Sequence, residues 1–186
     1  MSKPGQLETD LVIGVLADIF QQKFRAKCEP RKTFPWLEVD GKPVIASAYF
    51  GPPLHCLFEL DKPNRFTCER GHSLKNYPHD VPLGFDFRLY VELCDSARHK
   101  TNSATRRRAE EDAALDLLPP KHRLNPTLRL GEVEILEKMD SRPNEKNLRA
   151  VLESLLEKRL NVHGGTTFLQ LLDHPSGKPS LPHMGR

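Results

Sequence analysis

The stretch FRLYVELCDSARHKTNSATRRRAEEDAALDLL, residues 87–118, carries the fold reading of this chain. From 85 to 93, apolar Phe85, Phe87, Leu89, Val91 and Leu93 alternate with Asp86, Arg88, Tyr90 and Glu92. A period of two describes a strand with one buried and one wet face. A short basic, polar stretch follows. Then comes a helix over 104–118, whose Ala109, Ala113 and Leu117 share one side and allow close approach to a sheet. That helix opens on Arg106, Arg107 and Arg108, at the end where the macrodipole prefers anions. Cations in that place point to an anionic ligand, and phosphate is the commonest. The bland alternative is a solvated charged face.

Working outward, Pro52-Pro53 can open a helix over 52–62, with Leu54, Leu57 and Phe58 at i, i+3, i+4 and Pro63 as its stop. Residues 65–69 read as a short strand. Residues 71–82 read as a loop carrying His72 and His79, and 94–96 as the turn into a third strand. The expectation for residues 50–120 is therefore an α-β-β-β-α unit of the α+β class, with both helices on one face of an antiparallel sheet.

Residues 1–49 form an N-terminal extension. Leu7, Leu11, Val12, Val15, Leu16, Ile19, Phe20 and Phe24 follow helical spacing, with Thr9 as candidate N-cap. The helix fades near the basic run 25–32. Asp40-Gly41 between two apolar runs signals a hairpin over 36–45, and Pro43 confines its second strand to an edge. Residues 121–175 form a helical C-terminal module. Periodicity leaves 128–136 open between strand and helix. Asn144 can cap a helix whose stripe is Leu148, Val151, Leu152, Leu155, Leu156 and Leu160, ended by Gly164-Gly165. Residues 176–186 read as a disordered tail. The stripes at 7–24 and 148–160 need cover, from the neighbouring domain, from a second copy, or from a protein partner.

Composition sets outer limits. The chain has 186 residues and a formal charge of +3, too small by itself to argue for nucleic acid. Clustering says more: Arg98, His99, Lys100, Arg106, Arg107 and Arg108 fall within residues 98–108. Cys28, Cys56, Cys68 and Cys94 lack paired short spacings, so free thiols in a reducing compartment are expected. No signal peptide or apolar run of membrane-spanning length is visible, which gives an intracellular expectation, cytoplasmic or nuclear. Cys68 and His72 lack the spacing of a structural zinc site. There is no glycine-rich phosphate loop and no carboxylate cluster suited to magnesium. The expectation is a non-catalytic chain with no cofactor and no metal.

Thr105-Arg106-Arg107-Arg108-Ala109 followed by Ala113-Ala114, the strand at 85–93, Pro78-His79 before it and Leu57-Phe58-Glu59 occur in one order and spacing. Together these motifs resemble the double-stranded-RNA-binding domain, over about residues 50–120. The turn into the last helix, residues 99–103, lacks the glycines usual in that family. The resemblance implies that A-form RNA is read by shape, through its shallow minor groove and its phosphates. In that mode Glu59 accepts hydrogen bonds from minor-groove groups and His79 reaches the next minor groove. Arg106, Arg107 and Arg108, helped by Lys100, bridge the phosphates between. The implied role is an accessory factor in RNA processing or silencing. The alternative is a degenerate copy that acts as a protein-interaction or dimerisation module.

Overall fold

The computed structural model describes residues 7–62, 103–139 and 142–161. The expected strands at 65–69, 85–93 and 94–96, together with His79, Lys100 and the tail, lie outside the described residues. Within them the chain is α+β. Helix α1 spans Thr9–Phe24 and strand β1 Cys28–Lys32, and β2 (Glu38–Val39) and β3 (Lys42–Pro43) make a hairpin. Strands β4 (Ala46–Phe50) and β5 (Cys56–Asp61) follow, then helix α2 (Ser103–Lys121) and β6 (Asn125–Gly131). Helices α3 (Glu132–Glu137) and α4 (Glu145–Asn161) complete it. The main sheet has the order β1-β4-β5-β6; β1, β4 and β5 are antiparallel, and β6 runs parallel to β5. A parallel neighbour needs a crossover, and α2 lies on that connection.

Strand alternation divides the interior of the described residues in two. Cys56, Phe58 and Leu60 of β5, with Phe50, Leu128 and Leu130, face α1, α3 and α4. Their core takes Val12, Val15, Leu16, Ile19 and Phe20 from α1 and Leu148, Leu152, Leu155 and Leu156 from α4. Phe20 meets Phe50 edge-on at 4.6 Å, a favoured ring geometry. Leu57, Glu59 and Asp61 point the other way, toward α2 and the hairpin, where Leu57 packs with Leu37, Val44 and Leu115. So α1 and α2 cover opposite faces of the sheet. The expectation that helices at 52–62 and 104–118 share one face does not hold, because residues 56–61 are strand β5.

The main correction concerns residues 52–62. They form no helix: 56–61 is β5, with all six residues buried. A strand covered on both faces shows no alternation, and Leu54, Leu57 and Phe58 at i, i+3, i+4 imitate a helical stripe. Of the α-β-β-β-α unit expected over 50–120, the first helix is a strand, the last helix is α2 and the strands between lie outside the described residues, so what stands is the α+β class. The helix at 9–24 stands close to its expected bounds. Its cap is Glu8, not Thr9, and no side chain caps it. The Asp40-Gly41 hairpin stands as well, both residues having positive φ. The open segment 128–136 is strand and then helix.

Local chemistry sets the helix ends. Asn144 caps α4, its Oδ1 accepting from the backbone N–H of Lys146 and Asn147 at 3.1 Å each. Helix α2 runs through Pro119 and Pro120, past its expected end. Pro119 has no N–H for the Leu115 carbonyl one turn back, and Thr127 Oγ1 of β6 donates to that carbonyl instead. The missing helical bond thus becomes a bond between helix and sheet.

Candidate functional site

Helix α2 positions three groups of polar residues, one beneath it and one at each end. Beneath it, Arg129 of β6 is 6% exposed and holds three carboxylates. Its Nε donates to Asp116 Oδ1 at 2.8 Å, Nη1 to Asp61 Oδ1 at 2.8 Å, and Nη2 to Asp112 Oδ1 at 3.0 Å. Asp112 and Asp116 are one turn apart on α2, and Asp61 ends β5. A guanidinium presents its donors in a planar fork, so one side chain can tie helix to both parallel strands. Buried charge is stable only when paired and hydrogen-bonded, which makes this network a structural joint between α2 and the sheet.

At the head of α2, Ala109 and Ala113 are buried at 1% and 2% exposure, and the three successive arginines fan around the helix about 100° apart. Arg106 is exposed. Arg107 Nε and Arg108 Nη1 donate to the two oxygens of Glu111, at 3.0 and 3.1 Å. Both arginine side chains remain 39% exposed. Glu111 lies four residues from Arg107 and three from Arg108, and Asp112 four from Arg108, which offsets the unfavourable end of the helix dipole.

Glu59, expected on an exposed helix, is on β5 and 3% exposed. Its Oε1 accepts from the Ser47 backbone N–H at 2.7 Å and its Oε2 from Ser47 Oγ at 3.1 Å. It braces β4 against β5 and faces inward.

At the foot of α2 lies a group that sequence reading missed, a continuous run of five rings. Trp36 stacks on His122 with centroids 4.3 Å apart and planes 8° from parallel, and on Phe34 at 4.9 Å. Phe34 meets Tyr49 edge-on at 5.4 Å, and Tyr49 Oη lies 3.0 Å from His55 Nδ1. Phe34, Trp36 and Tyr49 are half-buried over the second core, while His55 and His122 are exposed. Lys32 Nζ sits 5.4 Å from the Phe34 centroid and 5.9 Å from that of Tyr49, and also pairs with Glu29. Lys121 and Arg123, both exposed, flank His122 in the chain. Burial, with the charge of Glu29 beside it, raises the Tyr49 phenol above its usual pKa, so it stays protonated at neutral pH. The visible signal was the basic pair Arg31-Lys32 running into Phe34-Pro35-Trp36, beside a hairpin read only for its turn.

Among the described residues no helix is long and apolar enough to cross a membrane. Comparison with family models, with curated proteins and with solved structures finds no match for this chain.

Proposed function

We propose that this chain binds double-stranded RNA without catalysis, through the head of α2, as an accessory factor in RNA processing or silencing. The observation that carries the reading is the cation cluster at the head of that helix. Arg106 is exposed and the Arg107 and Arg108 side chains are 39% exposed, with the forked donors that suit phosphate oxygens. The ion pairs to Glu111 do not oppose it. Exposed pairs are worth about 0–1 kcal/mol, so a phosphate can displace or join the carboxylate. Within the stretch that carries the resemblance to the double-stranded-RNA-binding domain, the last helix with its basic start and buried Ala109 and Ala113 supports the reading. Strand β5 in place of the expected first helix departs from what the resemblance implies. The proposed contact set is Arg106, Arg107 and Arg108, with His79 and Lys100 joining from outside the described residues; Glu59 leaves it because its carboxylate is buried on Ser47.

The test compares duplex RNA, duplex DNA and single-stranded RNA of one sequence at one salt concentration. Recognition by shape and 2′-hydroxyls predicts tighter binding to the RNA duplex than to the DNA duplex. Equal affinity for both duplexes would reduce the arginines to a generic basic patch.

A further inference from the structure

The ring run at the foot of α2 has two properties that a simple core cover does not need. It ends at exposed imidazoles, and it has cations beside it. Lys32 is held beside the Phe34 and Tyr49 rings and pairs with Glu29, and the exposed Lys121 and Arg123 adjoin His122 in the chain. Stacked rings with adjacent cations suit a base and its phosphate together, since every base has a π-face and the stacking does not depend on sequence. A base inside a duplex offers no free face, so the occupant must be unpaired. Helix α2 has 19 residues, and at about 1.5 Å per residue its two ends are about 28 Å apart. One RNA can therefore span both ends.

We propose that the Phe34, Trp36 and His122 surface holds an unpaired nucleobase against His122, so that the preferred RNA is a duplex with a single-stranded extension. The preference for a junction rests on the duplex reading above; the stacking site itself does not.

Trp36 is the chain's one tryptophan and lies directly on His122, so its fluorescence reports the site. The full chain is titrated with a blunt RNA duplex, the same duplex carrying an unpaired extension of four nucleotides, and the extension alone. The extension should raise duplex affinity about tenfold or more and quench Trp36, while the blunt duplex should leave the fluorescence unchanged. His122→Ala should abolish both the gain and the quench without weakening blunt-duplex binding, and His122→Phe should restore the gain by restoring a ring. Equal affinity for blunt and extended duplexes, or indifference to His122→Ala, overturns the site and leaves the duplex reading standing. Quenching by the extension alone with no binding of the blunt duplex supports the site and overturns the duplex reading. No response of Trp36 to any RNA overturns the site and leaves the rings as a cover of the second core.

Discussion

The two faces of β5 are made by adjacent residues and obey different physics. Cys56, Phe58 and Leu60 look into a core of aliphatic and aromatic side chains. Leu57, Glu59 and Asp61 look toward α2, where Glu59 is bound to Ser47 and Asp61 to Arg129. On the first face stability comes from apolar area removed from water, an additive and non-directional quantity. On the second it comes from a few directional bonds among buried charges, and losing one member strands the rest. A core of the first kind tolerates a change of shape that keeps its volume, whereas a network of the second kind is all or none.

Arg129→Met is the severest test of that contrast. The substitution keeps much of the side chain's bulk but leaves Asp61, Asp112 and Asp116 without the guanidinium that bridges them. The expected loss is about 3–5 kcal/mol, read by urea denaturation at neutral pH. Adding Asp61→Asn, Asp112→Asn and Asp116→Asn to the same chain should recover part of it, because the stranded charges are gone. A loss under about 1 kcal/mol for Arg129→Met alone would break the comparison and show that the network is solvated.

On the apolar face, Leu16→Ala should cost about 2–5 kcal/mol and Leu16→Met under about 1.5 kcal/mol, since the residue is fully buried between α4 and the sheet. The ratio between those two is the informative number. If Met costs as much as Ala, the apolar face also demands a specific shape, and the difference between the faces narrows.

Why the apolar face was legible and the polar one was not follows from where their information sits in the chain. The α1 stripe lies within residues 7–24, so local periodicity revealed it, and the same holds for 148–156 with its Asn144 cap. On α2 the expected side of Ala109, Ala113 and Leu117 is buried at the two alanines but not at Leu117, while Asp112, Leu115 and Asp116 meet the sheet side. The Arg129 network joins positions 61, 112, 116 and 129, and only the parallel pairing of β5 with β6 brings them together. No local rule announces such a contact. Strand β1 was missed because an edge strand reading Cys-Glu-Pro-Arg-Lys has no apolar alternation, and β4 because its inward residues include Ala46 and Ala48. Strand β5 was misread as a helix for the reason given above. The ring run was missed because His122 is 86 residues from Trp36 (122 − 36).

Alkaline pH should act on the apolar face first. Burial pushes the Cys56 thiol far above its ordinary pKa of 9.0, and burial plus Glu29 pushes Cys28 up to about 11. Both groups are held neutral in the fold while the unfolded chain ionises near 9. Their stabilisation is therefore complete below pH 9 and is lost progressively as pH rises above it. The melting temperature should decline from pH 9 upward, and Cys56→Ala should flatten that decline while lowering stability at pH 7. Peptide-resolved alkylation at pH 8 should leave Cys56 unmodified in the folded chain and modified in denaturant, since the thiolate is the reactive form. Ready labelling of folded Cys56 would mean that water reaches this face.

The smallest effect on stability is expected where the polar face meets solvent, and it pits arginine against arginine. Arg129 is enclosed, whereas Arg106 is exposed and Arg107 shares Glu111 with Arg108 at the surface. Arg106→Ala with Arg107→Ala should shift stability by less than about 1 kcal/mol. Loss of the Glu111 pair and relief of the helix dipole oppose each other, so even the sign will be close to balanced. RNA binding separates the two surfaces more sharply. If both side chains contact phosphates, the slope of log K against log salt should become shallower by about 1 to 2 units, with affinity falling on every duplex sequence alike. Circular dichroism beside the titration keeps folding and binding apart. Unchanged affinity and slope in a folded double variant would make the head of α2 a solvated face held by Glu111. A double variant that unfolds would make the rim as structural as the buried joint, and the division of the molecule into an enclosed polar network and an exposed cation cluster would fail.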